Sequence, residues 1–554
     1  MSGHPAQWRR DESIVLIDGT AATLLSEQAQ RFPNRLAIIG ADARERPWRL
    51  TYHDVLARSR RIATALQRDT KPGDHVAVLA PNVVEWPLIE YAVALAGRVL
   101  VALNPHAGVD ELLYTLRHSD TAMLIYAPSI RGRDLNEIVR GIVAQCPGVR
   151  CTRALDVVWS WSDDEIDDEP DWPTVDPAGP AMLQYTSGTT GPQKGVLLSH
   201  RAVVNVARIA MQTCGVEPGS VSLSPFPQFH TAGCVTSTLG ALGVGGTLVI
   251  MDRWDASEAL ALIRSEGVTA ALLVPAMLDG LVQAARSASD SCSVPTILVG
   301  GSTVPAALIR AAQDAFGGSV FNVYGQTELS APLTATRRGD SADDIATTLG
   351  RPLPQVECRI ADPRTGRTVE VGATGEICAR GYQQMLGYYR DPDITAQTVD
   401  ADGWVHTGDL GTMDDRGYLT ITGRLKELII RGGENISPAE VAQCLLDHHN
   451  VQNVAIVGLP DDRLGEVVAA VVVAGKGADQ RTLAAVLHDH CAARLARYKI
   501  PQQWFFTDEL ALTASGKVRS LLVRQMILDG AISSPPERQD VNVEPSTHSD
   551  GPTQ

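Results

Sequence analysis

The 554-residue chain has no apolar run approaching the ~20 residues that a membrane-spanning helix needs, so a helical membrane span is not expected. Its nine cysteines stand singly with no CxxC pair, which argues against a zinc ribbon or a dithiol redox centre and fits reduced thiols. Basic side chains are in deficit: 48 Lys and Arg face 64 Asp and Glu, a formal net charge of -16. The field of such a molecule repels polyanions, and nucleic acid is not expected as a partner. A small phosphorylated ligand is compatible with this charge, because backbone amides and a few lysines can build a local positive site on an acidic protein. The start, MSGHPAQWRRDESIV, lacks the charged, apolar and small-residue succession of a secretory signal, and the end is neither SKL nor a prenylation box. A cytoplasmic protein is the expectation.

What is present is the composition of a globular chain, 44% hydrophobic and 20% charged. From Ile38 to Leu272, short apolar runs (HVAVLAP, MLIYAP, GTLVIM, TAALLVP) alternate with helical patterns such as EWPLIEYAVALAGR. This rhythm predicts an α/β fold whose strands are buried on both faces, a large N-terminal domain of mixed layered α/β subdomains. Between Ser162 and Trp172 seven residues are acidic, a run too charged to bury and read as a solvated connector. A boundary falls near Gly423. After it, Ser437 as N-cap, Pro438 at the first helical position and Glu440 three residues past the cap predict a helix start, followed by the apolar runs VQNVAIVGL and EVVAAVVVAG. The expected organisation is a large domain over 1–425, a smaller α+β domain over 426–530 and a disordered polar tail over 531–554.

The most informative segment is Tyr185-Thr-Ser-Gly-Thr-Thr-Gly-Pro-Gln-Lys194-Gly-Val, in which four hydroxyls and three glycines surround one lysine. Glycines let backbone N–H groups turn toward an anion, hydroxyls add donors, and lysine supplies a point charge. The flanking runs AMLQY and VLLSH read as two strands. A P-loop NTPase would need GxxxxGK followed by Ser or Thr opening a helix. Here Gln193 precedes the lysine, Gly195 follows it, and a strand is expected next.

This loop resembles the phosphate loop of the acyl-adenylate-forming superfamily, which includes acyl-CoA synthetases, luciferases and peptide-synthetase adenylation domains. Four further motifs follow in that family's order: Tyr324-Gly-Gln-Thr-Glu328, Gly403-Trp-Val-His-Thr-Gly-Asp409, the hinge-like Gly423-Arg-Leu-Lys426, and Ser515-Gly-Lys517. Two departures stand out. Many members carry proline directly before the loop lysine, where this chain has Gln193, and ALTASGK replaces a form with PKT before SGK.

The resemblance implies a carboxylic acid activated by ATP with Mg²⁺. Thr186, Ser187, Gly188, Thr189, Thr190, Gly191 and Lys194 would hold the β and γ phosphates, and Thr327 the α-phosphate. Glu328 would ligate Mg²⁺, a cation suited to oxygen ligands. Tyr324 and Gly325 would lie against adenine. Asp409 would take the ribose hydroxyls, with Arg424 in support, and Lys517 would reach the carboxylate and the α-phosphate together. Gly300, Gly301 and Ser302 match a small-residue wall between adenine and acid. Lys426 sits at the hinge about which the small domain would turn between half-reactions.

Amino-acid-activating members place an Asp after Phe in the segment that here reads Ser224-Pro-Phe-Pro-Gln-Phe-His230-Thr-Ala-Gly233. His230 replaces that Asp, so the substrate's ammonium group would lack its counter-ion, and an acid without an α-amino group is expected. His230 then resembles the pocket-gating residue, with a satisfied core histidine as the alternative. Arg431-Gly432-Gly433-Glu-Asn-Ile436 resembles the acyl-CoA synthetase form, in which the glycine pair leaves room for the pantetheine of CoA. With only 5% aromatic residues an aliphatic pocket is easily built, which favours a medium- or long-chain fatty acid over an aryl or alicyclic one. Transfer to a carrier-protein thiol, and a nucleotide-binding regulator without catalysis, are the other readings.

Overall fold

The structure is a computed structural model that describes residues 4–163, 171–186, 193–288, 292–431, 434–475, 480–512 and 518–532. Ser187, Gly188, Thr189, Thr190, Gly191, Gly432, Gly433 and Lys517, most of the acidic run, the tail from 533 and the side chain of Lys426 lie outside the described residues. The chain divides into two compact units, Met1–Leu425 and Lys426–Gln554.

Among the described residues, three large sheets and a two-stranded hairpin, Ser129–Ile130 with Arg133–Asp134, build the first unit. The nine-stranded sheet has six adjacent parallel strands: Ser319–Gln326, Thr296–Gly300, Ala270–Leu273, Val221–Ser224, Thr247–Ile250 and Leu36–Ala41. Antiparallel strands close both of its edges, Ala331–Ala335 and Arg351–Pro352 on one side and Pro47–Thr51 on the other. The seven-stranded sheet runs Gly387–Tyr388, Lys194–Ser199, Pro180–Thr186, Val99–Leu103, His75–Leu79, Thr121–Tyr126 and Cys151–Ala154. A five-stranded antiparallel sheet holds Val356–Ala361, Gly375–Gly381, Val405–Met413 and Leu419–Arg424, with Gln7–Trp8 at its edge.

The buried strands are apolar because helices cover both faces of the parallel sheets. Alternate residues of the nine-stranded sheet enter two different cores, Leu272 and Leu298 on one face, Leu273, Ile297 and Val299 on the other. The first core is continuous with apolar residues of the other two sheets, including Val101, Leu183, Ile377 and Val405. Helix starts follow local chemistry: Ser199 caps His200–Thr213 by accepting from the Ala202 N–H at 3.2 Å, and Asp255 caps Ala256–Glu266 through the Glu258 N–H at 2.8 Å.

In the second unit, Gly465–Ala474 is paired along its length with Val451–Asp461, and also with Ile429–Arg431 and Gln503–Phe506. Its residues alternate between cores: Val468, Ala470 and Val472 pack with helices Pro438–Leu446 and Gln480–Ala492, while Val467, Ala469 and Val471 pack with Ser520–Leu528. Ser437 caps the Pro438–Leu446 helix as its sequence predicts, and the Glu440 carboxylate accepts from Lys499 Nζ at 2.6 and 2.7 Å. The packed chain continues two residues beyond Gly530, because Ile532 is buried to 7% exposure in the second of these cores. No helix among the described residues is long and apolar enough to cross a membrane.

Candidate active site

The two strands predicted around the phosphate loop form an antiparallel pair, Pro180–Thr186 with Lys194–Ser199, whose last rung before the loop is Thr186 opposite Lys194. A strand, not a helix, therefore follows the lysine. The short strand Gly387–Tyr388 pairs with the outer edge of Lys194–Ser199 and places the Tyr388 ring 4.9 Å from Lys194 Nζ, within cation–π range. The Tyr388 hydroxyl donates to Glu328 Oε1 at 2.7 Å. Burial and the Glu328 charge push Tyr388 well above the ordinary tyrosine range, so it stays a donor. Tyr388 engages one of the two Glu328 carboxylate oxygens, and carboxylate oxygens are hard ligands of the kind that Mg²⁺ takes.

Glu328 lies in the short 3₁₀ helix Thr327–Leu329 at the end of the Ser319–Gln326 strand. A Cβ on Gly325 would meet the Ala331 carbonyl oxygen at 2.0 Å, so the close return of the neighbouring strand requires glycine there. Thr327 is buried. Four residues before Glu328, the Tyr324 hydroxyl donates to Asp409 Oδ2 at 2.5 Å. Burial first, and then the Asp409 charge, hold Tyr324 well above its ordinary value, again as a donor.

Asp409 is 1% exposed and is not a surface cap. Arg424 stands opposite it across the Val405–Met413 and Leu419–Arg424 strands, and its Nε lies 2.7 Å from Asp409 Oδ1. The approach to Asp409 is braced from behind: Gly408 N–H donates to Glu376 Oε1 at 2.9 Å, and Thr407 Oγ1 donates to the Ile377 carbonyl at 2.7 Å. The other Glu376 oxygen holds His406 Nδ1 at 2.7 Å, with Cys378 Sγ at 3.6 Å and Asp400 Oδ2 3.5 Å from Nε2. Hydrogen bonding to the Cys378 sulfur and to Glu376 raises His406 to about 10.

His230 is exposed, not a core histidine. It immediately precedes the turn into the π-helix Ala232–Leu239, and its Nδ1 accepts from the Ala232 N–H at 3.1 Å. A Cβ on Gly233 would meet the Pro227 carbonyl oxygen at 2.1 Å, so the chain reverses closely enough here to need glycine. Gly301 adopts φ +93°, and Gly300 faces the Val323 carbonyl, where a Cβ would come to 2.7 Å; Ser302 is exposed. Both glycines thus serve local backbone needs.

The contacts form two groups, Lys194 with Tyr388 and Glu328, and Tyr324 with Asp409 and Arg424, which the backbone from Tyr324 to Glu328 links. Sequence reasoning missed Tyr388, Glu376 and His406. Tyr388 bridges two of the segments, yet GYYRDP carries no spacing signal, because its role depends on strand pairing.

Comparison with known proteins places the chain in a family. Residues 25–389 match the model for "AMP-binding enzyme", and residues 440–517 that for its C-terminal domain. The chain is 35% identical over 545 residues to a putative acyl-CoA synthetase, YngI, of Bacillus subtilis (strain 168), covering 93% of this chain and 98% of the relative. It is 35% identical over 531 residues to the 3-[(3aS,4S,7aS)-7a-methyl-1,5-dioxo-octahydro-1H-inden-4-yl]propanoyl:CoA ligase of Rhodococcus jostii (strain RHA1), covering 91% and 98%. It is 31% identical over 551 residues to the mitochondrial medium-chain acyl-CoA ligase ACSF2 of Macaca fascicularis, covering 92% and 88%. Among solved structures, the Bacillus subtilis O-succinylbenzoate coenzyme A synthetase with ATP and magnesium superposes with a TM-score of 0.78 at 29% identity, covering 91% and 99%. The chain belongs to the AMP-binding enzyme family, with the family's main domain and its C-terminal domain both present.

Proposed function

We propose that the enzyme activates a carboxylic acid without an α-amino group, with ATP, to an acyl-adenylate and transfers the acyl group to CoA. The observation that supports this reading is a pair of contact groups, Lys194–Tyr388–Glu328 and Tyr324–Asp409–Arg424, linked by the backbone between Tyr324 and Glu328: a lysine and two carboxylates, the groups that nucleotide phosphates, a metal and a ribose would need.

The chemistry asks for these groups. A carboxylate is a poor electrophile, and coupling it to AMP creates a good leaving group. Its oxygen forms a bond to the α-phosphorus as the bond to pyrophosphate breaks in line, and negative charge builds on the phosphoryl oxygens. Lys194, with Thr186 at the loop's neck, supports the departing phosphates, and Mg²⁺ held by Glu328 would neutralise charge there. Thr327 serves the α-phosphate, Asp409 accepts from the ribose hydroxyls, and Lys517 supports the carboxylate. In the second half-reaction the CoA sulfur bonds to the acyl carbon, AMP leaves and the thiol proton is released, with Gly432 and Gly433 leaving room for pantetheine.

The absence of Asp from the segment Ser224–Gly233 supports an acid lacking an ammonium group, and His230 borders the acyl side. A medium-chain fatty acid is the first choice, in keeping with the ACSF2 relative. An alicyclic acid is the second, favoured by the Rhodococcus relative. AMP release from ATP and Mg²⁺ across fatty, alicyclic, aryl and amino acids, with and without CoA, tests the reading. CoA-dependent AMP release with one acid class, lost in Lys517→Ala, is expected. Pyrophosphate release without CoA turnover would transfer the reaction to a carrier-protein thiol, and silence with every acid would overturn it.

A further inference from the structure

The helix Val109–His118 presents Glu111, Tyr114, Thr115 and His118 at i, i+3, i+4 and i+7, the spacing of one helix face. All four meet the neck of the phosphate loop. Glu111 Oε1 accepts from the Gln193 side-chain amide at 2.5 Å, and the Tyr114 hydroxyl donates to the Gln193 carbonyl at 2.9 Å. On the other side of the loop, the Tyr185 hydroxyl lies 2.8 Å from His118 Nδ1 and 3.5 Å from the Thr115 carbonyl. The Tyr114 and His118 rings stack with centroids 5.4 Å apart, so the two grips share one support. Burial lowers His118 and raises Tyr185, which favours a neutral imidazole beside a protonated phenol.

We propose that this helix face is a positioning clamp for the phosphate loop, and that the Gln193–Glu111 bond replaces the restraint that many family members obtain from proline before the loop lysine. A proline fixes its own φ; a glutamine has no such restraint and must be held from outside. Holding Tyr185 and Gln193 sets the Thr186–Lys194 rung, and with it the direction from which Lys194 leaves the sheet. The proposal rests on the phosphate-binding reading of Lys194. It assigns Glu111, Tyr114 and Gln193 no contact with substrate.

The test is ATP affinity by equilibrium binding to the full chain, together with steady-state constants for ATP and acid. Glu111→Ala, Gln193→Ala and Tyr114→Phe are each expected to weaken ATP about fivefold with the KM for the acid unchanged, as loss of one hydrogen bond predicts. Glu111→Gln, whose amide oxygen still accepts, is expected to bind ATP as the unaltered chain does. The Glu111→Ala/Gln193→Ala double variant is expected to be no weaker than either single one, because both remove the same bond. Independent, additive losses, or equal losses in Glu111→Gln and Glu111→Ala, would overturn the clamp. Tyr114→Phe removes only a hydroxyl and keeps the test open if an alanine variant fails to fold. Lys194→Ala separates the two readings: intact ATP binding there would sink the phosphate site itself, whereas its loss alongside normal binding in the three clamp variants would sink only the clamp.

Discussion

Asp409 shows how a single buried charge is made usable. A carboxylate at 1% exposure is stable only when its charge is met: Tyr324 donates to one oxygen, and Arg424 lies beside the other as an ion pair, outside hydrogen-bond geometry. Tyr324→Phe removes the neutral donor and keeps the ring. It is expected to raise the KM for ATP roughly tenfold while sparing that for the acid, in line with the about 1.5–3 kcal/mol of a hydrogen bond to a charged group. An unchanged ATP constant in steady-state kinetics would show that Arg424 alone orients the carboxylate. The identity of Asp409 was legible in the string GWVHTGD, but its partnership with Tyr324, 85 residues away, was not.

At the level of elements, the paired strands Gly375–Gly381 and Val405–Met413, the latter carrying Asp409, hold a polar row: Glu376, Cys378 and His406, with Asp400 beyond. Because His406 is raised from 6.5 to about 10, its bonds contribute stability that is fully present below pH 6.5 and is lost as pH rises through about 10. His406→Gln is therefore expected to lower the melting temperature most at pH 6, by the equivalent of about 2 kcal/mol for a partly exposed pair, with the difference shrinking toward pH 10. A difference that is flat with pH in thermal denaturation would show that the imidazole acts by packing alone. The sequence placed His406 within a motif without a task. Only the register Cys378 opposite His406 gives it one.

For the whole molecule, the division at Leu425 and Lys426 puts the residues that Asp409 anchors in one unit and Lys517 in the other. We propose that Lys426 is the hinge between the half-reactions. Lys426→Pro fixes one φ and removes a backbone donor, and is expected to leave acyl-adenylate formation within about twofold while reducing thioester formation at least tenfold. Pyrophosphate exchange measured beside acyl-CoA formation checks this; equal loss of both would remove the hinge role.

The sequence by itself determined what depends on neighbours along the chain. Alternation of apolar runs and helical patterns specified an α/β fold, Ser437 and Pro438 specified a helix start, and the pattern around Lys194 specified that a strand follows the lysine. The tertiary structure decided what depends on which strands become neighbours. Pairing of Gly387–Tyr388 with Lys194–Ser199 brought Tyr388 between Lys194 and Glu328, and the helix Val109–His118 brought Glu111 to Gln193. Side-chain periodicity fixes how each element buries itself, but contacts between residues 60 or more positions apart arise only when the core joins the sheets, and no local pattern encodes them.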